Sequence, residues 1–252
     1  MMLLIDIGNT RIKWANANGR ALGMQSAAVH RDWTSEEFAA HVLRGDRPER
    51  VVISNVGGDH IAEIARESLS RVFTMEPTFV SPGARAGGVR SGYANPAQIG
   101  VDRWVAMIGA RSLETGAACI VSVGTAMTVD ALDASGQHLG GVIVPGPDLM
   151  VSSLFENTSG IAQRAREGSV RASLFADNTL GAVKQGAIHA LAALIDRAMQ
   201  TMQSESGSEP SLLLTGGAVD ELRPALQRPY RQIPDLILRG LAVLADESST
   251  AP

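Results

Sequence analysis

The sequence predicts an α/β fold built from two similar lobes. With 252 residues, of which 45% are hydrophobic and 19% are charged, the chain is globular in composition and long enough for two cores. Short apolar segments that end in glycine and small polar residues recur along it. Such segments are typical of buried strands whose carboxyl ends face a ligand.

Four segments have this strand-and-turn pattern, and amphipathic helices lie between them. The segments are LLIDIGNT (residues 3–10), VVISNVGG (51–58), CIVSVGTAMTVDAL (119–132) and SLLLTGG (211–217). Apolar periodicity and capping residues predict helices over residues 60–70, 102–116 and 180–202, the last with an apolar face formed by Ala187, Leu191, Leu194, Ala198 and Met202. Residues 203–210 are polar and predict a solvated loop.

The strand segments also indicate an internal repeat. Residues 5–10 align with residues 121–126, and the second and fourth segments share an apolar triplet followed by a small polar residue and glycine. We interpret the repeat as two similar lobes that face each other, over residues 1–104 and 105–252. Chance similarity between buried strands is the alternative explanation.

Charge and cysteine content exclude several classes of protein. A net charge of −4 gives no electrostatic reason to expect binding to nucleic acid. Cys119 is the only cysteine, so no intramolecular disulfide can form, which fits a reducing cytoplasm. No stretch of 18 uncharged apolar residues predicts a membrane span. We therefore expect a cytoplasmic protein without nucleic-acid or membrane partners.

The two aligned glycine turns have the composition of phosphate-binding turns. Gly8 and Gly124 lack the Cβ atom that would keep a phosphate from the backbone, and successive N–H groups in a tight turn can point at one anion. Lys13 can add a point charge. Side-chain donors accompany both turns, at Asn9, Thr10, Thr125 and Thr128. An ordinary β-turn is the alternative for each motif considered alone.

Asp6 lies inside the first apolar segment, where an unused carboxylate is costly. It cannot bind a phosphate directly because like charges repel. It can hold a hydrated Mg²⁺ that carries the phosphates, since Mg²⁺ prefers a few carboxylates together with water. The alternative is an aspartate that caps local N–H groups.

A second group of polar residues, YANPAQIGVDRW (residues 93–104), leads into the predicted helix at 102–116. Asp102 could be a general base that orients an attacking hydroxyl and accepts its proton, or simply the residue that caps the helix. Low basicity does not exclude the first role, because the transition state of phosphoryl transfer is loose. Arg103 could balance charge or bind an acidic group of a substrate.

Five stretches in order resemble the motifs of type III pantothenate kinases, also called the Bvg accessory factor family. They are DIGNTRIKWA, YANPAQIGVDRW, SVGTAMTVDAL, GGVIVPG and DNTLGAVKQG, and the similarity runs from about residue 3 to residue 217. The resemblance implies two RNase H-like lobes of the acetate and sugar kinase, heat-shock chaperone and actin superfamily. It also implies ATP-dependent phosphorylation of pantothenate to 4'-phosphopantothenate, the first step of coenzyme A biosynthesis.

The resemblance further implies Mg²⁺, a monovalent cation (K⁺ or NH₄⁺) and a homodimer. Two alternatives stay open from the sequence: a nucleotide-binding regulatory protein without turnover, and a related kinase that acts on another small acceptor.

The family motifs assign roles to individual positions. Asp102 matches the proton acceptor. The ATP-binding positions are Asp6, Ile7, Gly8, Asn9, Thr10, Arg11, Ile12, Lys13 and Thr125. The pantothenate-binding positions are Tyr93, Gly100, Val101, Asp102, Arg103 and Thr179, the last near the dimer interface of the family. Ser122 stands where the family usually has an aspartate associated with the monovalent cation, and a neutral hydroxyl is a weaker cation ligand.

Overall fold

The computed structural model describes residues 1–45, 47–171 and 173–250, and it is a mixed α/β protein. The strands are β1 (Met2–Ile7), β2 (Arg11–Asn18), β3 (Ala21–Leu22), β4 (Ser26–Val29), β5 (Arg50–Asn55), β6 (Thr78–Phe79), β7 (Arg85–Ala86), β8 (Val89–Arg90), β9 (Ala118–Val123), β10 (Ala126–Leu132), β11 (His138–Pro145), β12 (Ser211–Thr215) and β13 (Arg231–Gln232). The α-helices are α1 (Ser35–Val42), α2 (Asp59–Phe73), α3 (Val101–Leu113), α4 (Pro147–Asn157), α5 (Ser159–Arg164), α6 (Thr179–Ser206), α7 (Val219–Leu222) and α8 (Leu236–Thr250).

The chain divides into two compact units. The first contains Met1–Thr115, Gly136–His138 and the chain from Asp235 onward, and the second contains Gly116–Ser135 and Leu139–Pro234. This division differs from the expected lobes at 1–104 and 105–252. Helix α3 is continuous through residue 104 and packs against α8, so residues 105–115 and the C-terminal helix group with the first unit.

The sheet of the first unit has the order β3-β2-β1-β5-β6, and β4 also pairs with β2. Strand β1 is antiparallel to β2 and parallel to β5, which is parallel to β6. Residues 3–7 of β1 are all buried, so this strand lies at the centre of the unit. Its apolar side chains join a core with α1 and α2 that includes Ile5, Ile7, Phe38 and Leu69.

The sheet of the second unit repeats this arrangement in the order β11-β10-β9-β12-β13. Strand β9 is antiparallel to β10 and parallel to β12, which is parallel to β13. The two sheets therefore share both strand order and strand direction, which confirms the internal repeat predicted from the sequence. Helix α6 covers this core with Leu191, Ile195, Met199 and Met202.

Two predicted boundaries need correction. Helix α3 begins at Val101 and ends at Leu113, so its predicted end at residue 116 is three residues too late. Helix α6 continues to Ser206, so residues 203–206 are helical and not part of a loop. These residues are polar because they form an exposed turn of helix, and the true stop is Gly207, whose φ of +71° is the left-handed conformation favoured at a helix end.

Helices α3 and α8 approach each other through glycines. A Cβ atom on Gly109 would overlap the carbonyl oxygen of Leu236, and one on Gly240 would overlap the carbonyl oxygen of Val105. This contact fixes helix α3, whose second residue is Asp102. Among the residues described, no helix combines the length and hydrophobicity that a membrane crossing requires.

Candidate active site

The first glycine turn links β1 to β2 and is closed by backbone hydrogen bonding. The N–H of Gly8 donates to the carbonyl oxygen of Arg11 over 3.0 Å. A Cβ atom on Gly8 would lie 3.2 Å from the same oxygen, so glycine permits the close approach. Gly8 is half-buried, whereas Asn9 and Thr10 are exposed. The turn thus presents backbone and small polar side chains to solvent, as an anion-binding turn requires.

The remaining residues of this motif differ in how far their side chains are buried. The side chains of Ile7 and Ile12 lie in the core of the first unit, so only their backbone atoms could face a ligand. Arg11 is exposed and Lys13 is half-buried.

Asp6 is buried in the middle of a row of polar side chains. It pairs in register with Lys13 on β2 and with Ser54 on β5. Burial raises the pKa of Asp6 from 3.8 to about 7, while Lys13 lowers it and Asp102 raises it. Burial lowers the pKa of Lys13, and Asp6 raises it in turn. The charges of both Lys13 and Asp102 therefore act on the pKa of Asp6.

Two oxygens in this row lack a hydrogen-bonding partner. They are Oδ1 of Asp6, a residue that is 6% exposed, and Oγ of Ser54, which is fully buried. The Ser54 hydroxyl lies close enough to lower the pKa of Asp6, although no hydrogen bond of normal geometry joins them. An unpartnered buried carboxylate oxygen is costly and fits a hydrated divalent cation.

The donor set also indicates which kind of metal fits. Within the described ranges, no group of three or more His, Cys, Asp or Glu side chains could hold a metal by itself. A cation at Asp6 would need further ligands from water or a bound phosphate, which is the usual arrangement for Mg²⁺.

Asp102 is the second residue of α3, and the residue that caps this helix is Gly100. Oδ1 of Asp102 accepts a hydrogen bond from the N–H of Arg103 over 2.8 Å. A Cβ atom on Gly100 would lie 2.7 Å from that oxygen, so glycine leaves room for the carboxylate. The alternative that Asp102 is the N-cap is therefore wrong. The half-buried Asp102 carboxylate lies at a helix N-terminus and influences Asp6.

Arg103 and Tyr93 form a second contact group beside Asp102. Arg103 is 5% exposed and donates a hydrogen bond from Nη1 to the hydroxyl oxygen of Tyr93 over 3.2 Å. Its guanidinium carbon lies 5.8 Å from the centre of the Tyr93 ring. The Tyr93 ring also stacks on the buried His138, with 5.6 Å between the ring centres and an interplanar angle of 18°.

His138 was not identified from the sequence, because it does not belong to a recognisable motif. It is the first residue of β11, 45 residues after Tyr93 in the chain.

Val101, which the family motif assigns to the pantothenate site, is buried with 8% exposure and packs at the start of α3.

The second glycine turn is also closed by a backbone hydrogen bond, but it is one residue shorter than the first. The N–H of Gly124 donates to the carbonyl oxygen of Ala126 over 3.0 Å, and Thr125 is exposed. The N–H of Gly146 donates to the carbonyl oxygen of Thr125 over 2.8 Å, and a Cβ atom on Gly146 would overlap Gly124. Gly146 is thus a further residue that supports this turn and that the sequence analysis did not single out.

Ser122 occupies the position in β9 that Asp6 occupies in β1. It pairs in register with Thr128 on β10 and with Thr215 on β12. The row that reads Lys-Asp-Ser in the first unit therefore consists of three hydroxyls in the second. The O–H groups of hydroxyls can donate hydrogen bonds, and their neutral oxygens can coordinate a monovalent cation weakly.

Thr179 is the first residue of α6, whose N-cap Asn178 accepts a hydrogen bond from Gly181 N–H over 2.9 Å. Thr179 lines a groove of about 900 Å³ in the second unit, together with Pro145, Met150, Leu154 and Ala187. Large apolar side chains that line this groove or lie close to its residues in sequence are exposed, namely Leu149, Leu154, Val170, Leu174 and Phe175.

Comparison with known proteins assigns the family. The sequence profile of type III pantothenate kinase matches residues 2–201. A type III pantothenate kinase from Aromatoleum aromaticum is 41% identical over 256 residues, with 100% of both chains covered. One from Nitrosococcus oceani is 36% identical over 256 residues, covering 99% of this chain and 95% of the relative. The chain belongs to the type III pantothenate kinase family.

Solved structures confirm the fold predicted for a type III pantothenate kinase. A Baf family protein from Campylobacter jejuni matches with a TM-score of 0.62 at 22% identity, covering 99% of this chain and 100% of the other. An activator of 2-hydroxyisocaproyl-CoA dehydratase from Clostridium difficile, solved with ADPNP, matches with a TM-score of 0.54 at 13% identity, covering 98% and 96%. At such identities the likeness shows the fold alone.

Proposed function

We propose that this chain transfers the γ-phosphoryl group of ATP to the primary hydroxyl of pantothenate, forming 4'-phosphopantothenate for coenzyme A biosynthesis. Family membership supports the reaction. The observation that assigns it to particular residues is the buried Asp6 carboxylate, whose Oδ1 lacks a hydrogen-bonding partner and whose pKa is raised by burial and by Asp102, beside a turn suited to phosphates. One carboxylate can serve the metal while the other serves the hydroxyl.

The Gly8–Thr10 turn would hold phosphate oxygens through backbone N–H groups and through the side chains of Asn9 and Thr10. Lys13 would add positive charge, and Asp6 would hold Mg²⁺ through water. When bound, Mg²⁺ neutralises charge on the phosphates. Thr125 is proposed as a further ATP contact because it matches the family motif. The exposure of its side chain on a glycine turn supports this role.

Asp102 would orient the pantothenate hydroxyl and accept its proton. A helix N-terminus favours the ionised carboxylate, which matches a base that must be charged before reaction. Because bonding to the nucleophile is weak in a loose transition state, the proton moves late and an ordinary aspartate suffices.

Arg103, Tyr93, Gly100 and Val101 would form the pantothenate pocket of the first unit. The guanidinium of Arg103 is planar and already ordered by Tyr93, so it can bind the carboxylate of pantothenate with two hydrogen bonds. Thr179 is proposed as a pantothenate contact from the family motif alone.

A monovalent cation, K⁺ or NH₄⁺, is proposed from the family, with Ser122 at the relevant position. Its neighbours in the sheet are also hydroxyls, so the site would bind a cation more weakly than one with a carboxylate. A cytoplasmic location is proposed as well, in line with the single cysteine.

We further propose that the chain is a homodimer and that the groove lined by Thr179 belongs to its interface. The exposed Phe175, at 86%, and Leu174, at 55%, support this, because monomers seldom expose neighbouring large apolar side chains beside a groove.

The test is ADP formation by the purified protein, measured with and without pantothenate in sodium, potassium and ammonium buffers. We expect ADP formation that depends on pantothenate, with 4'-phosphopantothenate identified by mass, and stimulation by potassium or ammonium over sodium. Nucleotide binding without turnover would contradict the proposal and favour a regulatory protein. Turnover with other small alcohols alone would contradict the choice of substrate.

A further inference from the structure

His30 contacts the backbone of the first glycine turn, although it lies 22 residues away in the chain. Its Nε2 is 2.7 Å from the carbonyl oxygen of Gly8. A carbonyl oxygen only accepts hydrogen bonds, so Nε2 must carry a hydrogen and donate it. The side chain is 8% exposed. None of the motifs in the sequence includes this residue.

The contact sets the direction of the next N–H group. In a trans peptide the C=O and N–H groups of one linkage point in opposite directions. Since His30 holds the Gly8 carbonyl on its own side, the N–H of Asn9 points away from His30. Gly57 lies on the carbonyl side as well, because a Cβ atom there would be 3.0 Å from the Gly8 oxygen.

Gly8 makes such a restraint necessary. Glycine has the widest conformational freedom of any residue, so the Gly8–Asn9 peptide can rotate at low cost. A rotated peptide would present a carbonyl oxygen instead of an N–H to a bound anion, and the interaction would become repulsive. The hydrogen bond from His30 stabilises one of these two orientations.

His30 is itself fixed by the core and by the backbone. Its N–H donates to the carbonyl oxygen of Thr10 over 3.2 Å, which continues the pairing of β4 with β2. Its ring packs edge-on against Trp33 at 6.4 Å, and Trp33 stacks on His41 at 4.9 Å. The N–H of Trp33 donates to the carbonyl oxygen of His30. The imidazole is thus held rigidly against the turn.

We propose that His30 is a positioning residue that keeps the Gly8–Asn9 peptide oriented with its N–H toward the phosphates of the nucleotide. Its ring acts on the backbone of the turn and touches no reacting atom. This inference rests on the proposed function, in which the Gly8–Thr10 turn holds ATP.

The test distinguishes the hydrogen bond that His30 donates to Gly8 from the packing of its ring against Trp33. His30→Gln keeps an N–H donor without the ring, and His30→Phe keeps a ring against Trp33 without the donor. His41→Phe is the matched control, because His41 also packs on Trp33 but donates to Glu37 within α1. Binding of Mg·ADP is measured by calorimetry, KM is measured separately for ATP and pantothenate, and Tm is measured for each variant.

We expect His30→Phe to weaken Mg·ADP binding and raise KM for ATP by about tenfold, the upper scale for one hydrogen bond. His30→Gln should remain within about threefold of the wild type, and His41→Phe should match it. KM for pantothenate should stay unchanged in all three. If His30→Phe does not fold, His30→Met replaces it as the variant without a donor.

Wild-type affinity in His30→Phe would overturn the inference. So would equal weakening in a folded His30→Gln, or an equal rise in both KM values, since either would indicate a structural role only. A wild-type protein that binds no Mg·ADP would instead contradict the proposed function.

Discussion

At the scale of single residues, Asp6 illustrates how function opposes stability. The strand that carries it is otherwise apolar, and burial raises the pKa of this carboxyl to about 7. Oδ1 of Asp6 and Oγ of Ser54 both lack a hydrogen-bonding partner. A protein that needed only the fold would gain by replacing Asp6, so its presence indicates a ligand that compensates the charge.

We therefore expect Asp6→Asn to stabilise the metal-free protein, by about 1–3 kcal/mol at pH 8, the usual cost of an unsatisfied buried group. Folding raises the pKa of Asp6, so the unfolded chain loses this proton at a lower pH than the folded chain does. The free energy of unfolding of the wild type therefore decreases as the pH rises from about 4 to about 7. The gain should thus grow across that window and level off above it, as measured by denaturant unfolding.

The exposed Asp59→Asn is the control and should show no comparable growth. A gain for Asp6→Asn that is the same at pH 4.5 and pH 8 would show that Asp6 does not carry a raised pKa.

At the scale of secondary-structure elements, helix α3 links stability to the site. It carries Asp102 and Arg103 in its first turn and packs against α8 through Gly109 and Gly240. Neither glycine has a positive φ, so close packing of the two helices, and not backbone conformation, requires them. The position of Asp102 therefore depends on a contact that lies two turns away along the helix.

Gly109→Ala should destabilise the protein by about 1–3 kcal/mol, because the added Cβ atom overlaps the Leu236 carbonyl oxygen. Gly116→Ala is the matched control, since nothing lies within 4 Å of a Cβ atom at that position. Thermal unfolding compares the two variants. Equal Tm values would contradict the close α3–α8 packing described above.

The elements also show what the sequence could predict. Apolar segments ending in Gly8, Gly57 and Gly124 predicted strands β1, β5 and β9, because backbone turn chemistry is local. The contact of His30 with Gly8 could not be predicted, since it depends on how β4 pairs with β2. The same holds for the stack of His138 on Tyr93. Side-chain contacts between distant segments are decided by packing, which periodicity does not reveal.

At the scale of the whole molecule, the repeated sheets give two rows of corresponding residues with different chemistry. Lys13, Asp6 and Ser54 in one sheet correspond to Thr128, Ser122 and Thr215 in the other. One topology thus supplies a charged row and a neutral row. This difference, together with the family, supports the proposal that Asp6 holds Mg²⁺ and that Ser122 lies at the position of the monovalent cation.

The proposed dimer belongs to this scale. Phe175→Glu should convert a dimer into a monomer in sedimentation velocity, because Phe175 is 86% exposed beside the groove of the second unit. Met24→Glu is the control, as Met24 is 90% exposed in the first unit and should leave the dimer intact. A monomeric wild-type protein would contradict the proposed homodimer.

The most direct test of the central claim is the turnover of Asp102→Asn at saturating ATP and pantothenate, with Mg·ADP affinity measured in parallel. The account predicts that kcat falls at least about 10²-fold, the lower scale for a group that accepts a proton, while affinity for Mg·ADP stays near the wild-type value. Near-wild-type turnover would contradict the assignment of Asp102 as the residue that accepts the proton of pantothenate.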